Sequence, residues 1–111
     1  MFEKNLNIAY LLDFYGDLLS ERKRSVMNMY YNEDLSLAEV ASEIGISRQG
    51  VRDLIKKSED ELFEYEEKLG LAQKINELQK SAQRLGTFAN EYSLPDSVKN
   101  EIEQLTDIIN S

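Results

Sequence analysis

Residues 36–57 read SLAEVASEIGISRQGVRDLIKK, and this stretch decides the fold. Ser36-Leu37-Ala38-Glu39 has the form of a capping box: the Ser36 hydroxyl can accept from the Glu39 amide while the Glu39 carboxylate reaches back to the Ser36 amide. A short helix runs from there through Ile44. Gly45 stands where a left-handed residue ends a helix at least cost, and Ser47 can cap the next helix. Helix, tight turn, helix is the pattern.

Counted from Leu37 in the twenty-residue frame of a helix-turn-helix, the small residue expected fifth is Ala41, the glycine expected ninth is Gly45, and the branched apolar residue expected fifteenth is Val51. The remaining inward positions hold Val40, Ile44, Ile46 and Leu54, all aliphatic. Ala41 lets two helices cross closely, and the aliphatics fill the wedge between them. With Val51, Leu54 and Ile55 turned inward, the second helix must expose Arg48, Gln49, Arg52, Asp53 and Lys56. Arg48, Arg52 and Lys56 then recur every fourth residue along one face.

That face has the chemistry of a nucleic-acid reader. Ser47 and the first helical amides can hold a phosphate at the positive end of the helix. Arg48 and Arg52 suit guanine edges and Gln49 suits adenine, while Lys56 and Lys57 are better placed for backbone charge. Asp53 shares the face, where it repels phosphate or accepts from a cytosine amine. Gly50 costs the helix about 1 kcal/mol against Ala but permits close approach. The candidate nucleic-acid-binding residues are Ser47, Arg48, Gln49, Arg52, Lys56 and Lys57, with a solvated helix face as the plainer alternative.

Upstream, the residues from Leu6 to Leu19 are apolar all round a helix, with Gly16 a point of interruption, so most sides of that helix should be buried. Ser20 is placed to cap a second helix whose inward stripe is Val26, Met27, Tyr30 and Tyr31. Asn32, Glu33 and Asp34 come next as a solvated turn, since they lack the alternation and closing glutamate of a calcium loop. Downstream, Leu62, Tyr65 and Leu69 continue in helical spacing to Gly70. Leu71, Ile75, Leu78, Ala82, Leu85, Ala89 and Tyr92 then form a heptad seam. Pro95 suits the start of a last helix with the stripe Leu94, Val98, Ile102, Leu105 and Ile109. That helix can fold back on the seam as an antiparallel hairpin, or the seam can pair between chains.

Breakers are scarce, with one proline and five glycines in 111 residues, which favours helices throughout. The expected class is all-α: a helix-turn-helix domain over residues 1–58, with its motif at 37–57, and an acidic helical extension over 59–111 for packing or dimerisation. The net charge of −8 is unevenly shared, with 8 basic and 9 acidic side chains in residues 1–58 against 5 and 12 in 59–111. The first part can therefore still present a local basic face. Glu59, Asp60, Glu61, Glu64, Glu66 and Glu67 come closely after the motif and read as a solvated outer face, with a DNA-repelling or basic-protein-binding role as alternatives.

There is no cysteine and no histidine. Thiolate metal sites, disulfides, the commonest zinc ligand and the commonest general base are thereby removed, and carboxylates alone do not make an enzyme. No catalytic residue, cofactor or metal is expected. The N-terminal apolar stretch is broken by Asn7 and Asp13 and lacks a basic leader region, so it reads as neither signal peptide nor membrane span, and a cytoplasmic location without membrane insertion is expected.

The stretch from Leu19 to Ile46, LSERKRSVMNMYYNEDLSLAEVASEIGI, followed by SRQGVRDLIKKSEDEL, resembles region 4 of the bacterial sigma factors in order and spacing. With its apolar first helix and acidic helical tail, the whole chain more specifically resembles the small YlxM-like helix-turn-helix proteins of Gram-positive bacteria. That resemblance implies a cytoplasmic, dimeric, all-helical protein that acts in or regulates the signal recognition particle pathway. The sigma resemblance implies Arg48, Gln49 and Arg52 as major-groove readers. No polymerase-binding sigma region accompanies them, so promoter recognition is not expected. Two functions stand: a nucleic-acid-binding regulator, on DNA or on the particle's RNA, and a protein adaptor whose heptad seam and acidic helix dock on the targeting GTPase or its RNA complex.

Overall fold

The computed structural model describes residues 6–111, except the side chain of Leu6. Six α-helices and no strand occur among the described residues, in agreement with the all-α expectation. They divide into two compact units, one ending at Gly70 and one running from Leu71 to Ser111.

In the first unit, α1 (Leu6–Tyr15) gives way at Gly16 to a single 3₁₀ turn, Gly16–Leu18. Ile8, Leu11, Leu12, Tyr15 and Leu19 are buried, whereas Tyr10 and Leu18 are 38% and 56% exposed. The first helix is thus covered on one side, not on most sides. Tyr10 spends part of its outer surface in an edge-to-face contact with Phe14, ring centres 5.1 Å apart.

The Ser20 hydroxyl accepts from the Lys23 amide and starts α2 (Glu21–Met27). That helix widens into a π turn over Asn28–Asn32, where the Glu33 amide reaches back to the Asn28 carbonyl. Val26, Met27 and Tyr30 are buried and Tyr31 half-buried, as their spacing predicts. Asp34, at φ 57°, turns the chain towards Ser36.

Both arms of the Ser36–Glu39 capping box form, at 3.1 Å each, and open α3 (Leu37–Ile44). Gly45 closes that helix at φ 81°. A Cβ there would meet nothing within 4 Å, so glycine is favoured by the backbone angle alone. After three residues outside either helix, α4 runs unbroken from Arg48 to Leu69. Val40, Ala41, Val51 and Ile55 are buried, and Ile44, Ile46 and Leu54 half-buried, so the wedge between α3 and α4 is filled as the motif requires.

The continuity of α4 moves the expected division of the chain. No break falls at Ser58, whose hydroxyl donates to the Leu54 carbonyl at 2.7 Å and is satisfied within its own helix. The first unit therefore keeps the whole acidic stretch, and residues 1–70 carry 9 basic against 15 acidic side chains.

Nor is that stretch simply an outer face. Glu66 accepts from the Tyr15 hydroxyl at 2.6 Å, Glu59 accepts from the Tyr31 hydroxyl, and Glu61 pairs with Lys23. Together with fully buried Leu62, these contacts tie the distal half of α4 to α1, α2 and the π turn. Two further carboxylates face outward with partners one turn away, Asp60 on Lys56 and Glu64 on Lys68.

In the second unit, α5 (Leu71–Glu91) and α6 (Asp96–Asn110) fold back as an antiparallel hairpin, with Pro95 at the N-cap of α6. Of the two pairings left open by the seam, the hairpin forms. The seam itself splits. Ala82 and Ala89 are buried and Ile75 half-buried, while Leu71, Leu78, Leu85 and Tyr92 are exposed.

Candidate nucleic-acid interface

The second helix of the motif is held from three sides. Its N-terminus is fixed by Ser47, whose hydroxyl accepts from the Gly50 amide at 3.0 Å. Its inner face is packed through Val51 and Ile55, and its distal half is tethered by the tyrosine and lysine contacts of Glu59, Glu61 and Glu66. A helix anchored at this many points presents its outer side chains from a rigid base.

All six sequence-predicted site residues, Ser47, Arg48, Gln49, Arg52, Lys56 and Lys57, are exposed. They are not equivalent. Lys56 is paired with Asp60 at 3.1 Å, and Ser47 already uses its hydroxyl as a cap. The Gln49 amide donates to the Asp53 carboxylate at 3.0 Å. Asp53 therefore orients Gln49, whose amide oxygen remains an acceptor on the exposed face.

Among the described residues, the ion pairs of the first unit engage Lys23, Arg24, Lys56 and Lys68. Arg48, Arg52 and Lys57 are left without a carboxylate among the described residues. Arg48 and Arg52 stand one helical turn apart on the same face, and no acidic residue lies in the first turn of α4. The helix dipole and two unpaired guanidiniums thus add at one place.

Arg22 shares that freedom, although it lies outside the twenty-residue frame and the motif gives no sign of it. With Glu21, Ser25 and Ile44 it lines one open cleft, which places it beside the turn that leads into α4. The only sequence signal for it is the basic run Arg22-Lys23-Arg24. In the structure Lys23 and Arg24 are taken up by Glu61 and Asp17, and Arg22 alone of the three stays unpaired among the described residues.

Gly50 has an internal explanation. A Cβ at this position would come within 3.3 Å of both the Ile46 side chain and the capping Ser47 hydroxyl. The glycine makes room for the turn beneath it and needs no incoming partner.

Among the described residues, no group of three or more acidic side chains is placed to hold a metal ion, and no helix is long and apolar enough to cross a membrane. The model of the UPF0122 family, described as "Putative helix-turn-helix protein, YlxM / p13 like", matches residues 2–105. UPF0122 proteins of Bacillus cereus strain AH187, Bacillus anthracis strain A0248 and Bacillus thuringiensis subsp. konkukian strain 97-27 are each 44% identical to this chain over 109 residues. Each match covers 98% of this chain and 96% of the relative.

Proposed function

The chain belongs to the UPF0122 family of YlxM- and p13-like helix-turn-helix proteins, and we propose that it is a nucleic-acid-binding regulator reading duplex DNA with α4. The observation that carries this reading is the pair of guanidiniums, Arg48 and Arg52, unpaired among the described residues and one turn apart at the start of a helix anchored along its inner face. Arg52 and Arg48 address guanine edges, Gln49 held by Asp53 addresses a base amine, and Ser47, Lys56 and Lys57 lie towards the phosphates.

An exposed helix fits the major groove of B-form DNA, whereas the major groove of an A-form RNA helix is too narrow to admit one. DNA is therefore favoured over the signal recognition particle RNA. A cytoplasmic, homodimeric regulator of that particle's pathway is the placement that the YlxM likeness supports. The adaptor alternative, docking on the targeting GTPase through the acidic helix, is weakened because Glu59, Glu61 and Glu66 already have partners within the chain.

Fluorescence anisotropy with a mixed-sequence DNA duplex and with the particle's RNA, each at about 50 and 200 mM salt, tests the reading. DNA binding should weaken with salt, and Arg52→Ala should lower affinity by about tenfold or more, since a bidentate base contact is worth about 1–3 kcal/mol. Equal affinity of wild type and Arg52→Ala for DNA, or binding of the RNA alone, would overturn it.

A further inference from the structure

The outermost line of α4 is not basic. Val51, Ile55, Ser58 and Leu62 are its fully buried residues and fix the inward direction. At about 100° per residue, Gln49 and Asp53 then lie within about 30° of the line that points straight away from the core. Arg52 stands about 90° to one side of that line and Lys57 about 50° to the other. A helix laid in a groove therefore brings Gln49 and Asp53 nearest its floor, flanked by cations that face the two walls.

Asp53 is held in that place without being neutralised. Lys56 and Lys57 follow it by three and four residues, the spacing at which a helical carboxylate ordinarily finds a cation. Lys56 pairs instead with Asp60, and Lys57 forms no ion pair among the described residues. One Asp53 oxygen, Oδ1, accepts from the Gln49 amide nitrogen at 3.0 Å. The other has no partner among the described residues, and the side chain is exposed. Turned over, the Gln49 amide would set its oxygen against the carboxylate, so Asp53 also decides which way that amide faces.

We propose that Asp53 sets the sequence preference of α4 by accepting from a cytosine amine and repelling the base acceptors that could stand in its place. This deepens the duplex-DNA reading above and rests on it. The chemistry of the major groove selects cytosine. Guanine shows two acceptors there and thymine one, adenine sets an acceptor beside its amine, and cytosine alone offers an amine with no acceptor next to it. Arg48 and Arg52 carry donors only, which suits guanine.

A G·C pair presents guanine acceptors towards one strand and the cytosine donor towards the other. Around its axis α4 presents the Arg52 donors and then the Asp53 acceptor in that same order. The face thus fits a G·C pair in one orientation, with guanine on the strand nearer Arg52 and cytosine on the strand nearer Lys57. The same carboxylate repels phosphate, so it lowers affinity for DNA at large while raising discrimination between sequences. A residue that merely supported the helix would not separate those two quantities.

The test offers the full chain a pool of short duplexes with a randomised centre, sequences the bound fraction, and measures affinity for the unselected pool by anisotropy. Wild type should enrich a G·C pair of fixed orientation. Asp53→Ala should lower the cytosine preference at that pair by about tenfold and bind the unselected pool severalfold more tightly. Asp53→Asn keeps an oxygen for Gln49 but turns an amide donor outward, and should move the preference at that pair from cytosine towards guanine or thymine. If both Asp53 variants enrich the wild-type sequence, or lose affinity for the pool and for the enriched site alike, the inference is overturned. Arg52→Ala, run alongside, separates the two levels: a changed sequence with Arg52→Ala but not with the Asp53 variants overturns the role of Asp53 alone. A wild-type chain that enriches no sequence also overturns that role, and one that binds no duplex overturns the DNA reading with it.

Discussion

Replacing Gly45 by Ala isolates the turn of the motif, because the cost has one source. At φ 81° and ψ 34° the residue is left-handed, and a Cβ would touch nothing within 4 Å, so neither a clash nor a lost contact enters. What remains is the intrinsic penalty for placing an L-residue there, about 1–2 kcal/mol. The usual gain from replacing glycine, a less disordered unfolded chain, is smaller, at about 0.4–1 kcal/mol. The net loss should be about 1 kcal/mol.

With a urea m-value of roughly 1–3 kcal/mol per molar, that moves the unfolding midpoint down by about 0.5 M with little change in slope. Urea titration followed by far-ultraviolet circular dichroism reads this directly. Gly45→Asn is the control, since asparagine tolerates the left-handed region and should lose less than half as much. An alanine variant as stable as wild type, or an asparagine variant no better than alanine, would show that the turn is not held at this angle in solution.

Leu62→Ala removes a side chain with no exposure from the middle of α4 and should cost about 2–5 kcal/mol in chemical denaturation; a loss under about 1 kcal/mol would mean that α1 and α2 do not close over it. Tyr31→Phe strips a hydrogen bond from the Glu59 carboxylate and should cost about 1–3 kcal/mol, recovered in part by Glu59→Met, which needs no partner; unchanged stability would place that carboxylate in water. Arg22→Ala should weaken DNA binding by about threefold to tenfold for all sequences alike and reduce the slope of log affinity on log salt by about 1, as loss of one phosphate contact does. A sequence-dependent effect, or an unaltered slope, would remove Arg22 from the interface.

The range of each sequence signal decides how much of the structure is legible in it. The motif can be read residue by residue, because capping, turn and wedge positions lie within a span of about twenty residues and each has a local requirement. The extent of α4 cannot. Ser58 is polar and lies at the end of the motif, so the sequence divides there on its face, and nothing local shows that its hydroxyl bonds back to Leu54 inside a continuing helix.

The same limit explains the misplaced acidity. Glu59 and Glu66 look like solvated carboxylates because their partners, Tyr31 and Tyr15, lie 28 and 51 residues earlier. The heptad seam is visible as a pattern, but a single row of apolar residues cannot say which members meet α6. The close approach of the hairpin selects the alanines and leaves the leucines outside. Arg22 escapes notice in the sequence because nothing local distinguishes it from Lys23 and Arg24, which long-range carboxylates neutralise.

These long-range pairings also reconcile a net charge of −8 with the proposed surface for nucleic acid. Helix α4 has 22 residues and spans about 33 Å, and its two halves do different work. The carboxylates of the distal half hold the helix against the body of the domain. Hydroxyl and ammonium groups supplied by α1, α2 and the π turn take up Glu66, Glu61 and Glu59. A carboxylate so engaged keeps its charge but is directed inward, and at about 0.15 M salt its field fades over about 8 Å, or roughly one and a half turns of helix. From Glu59 to Arg52 is seven residues, about 10 Å along the axis, so Arg48 and Arg52 lie beyond the reach of most of that charge. Total charge is therefore a poor guide to the proposed binding: the acidic half is the fixture that holds the basic half rigid, and on that reading removing its carboxylates should loosen α4 instead of strengthening its grip on phosphate.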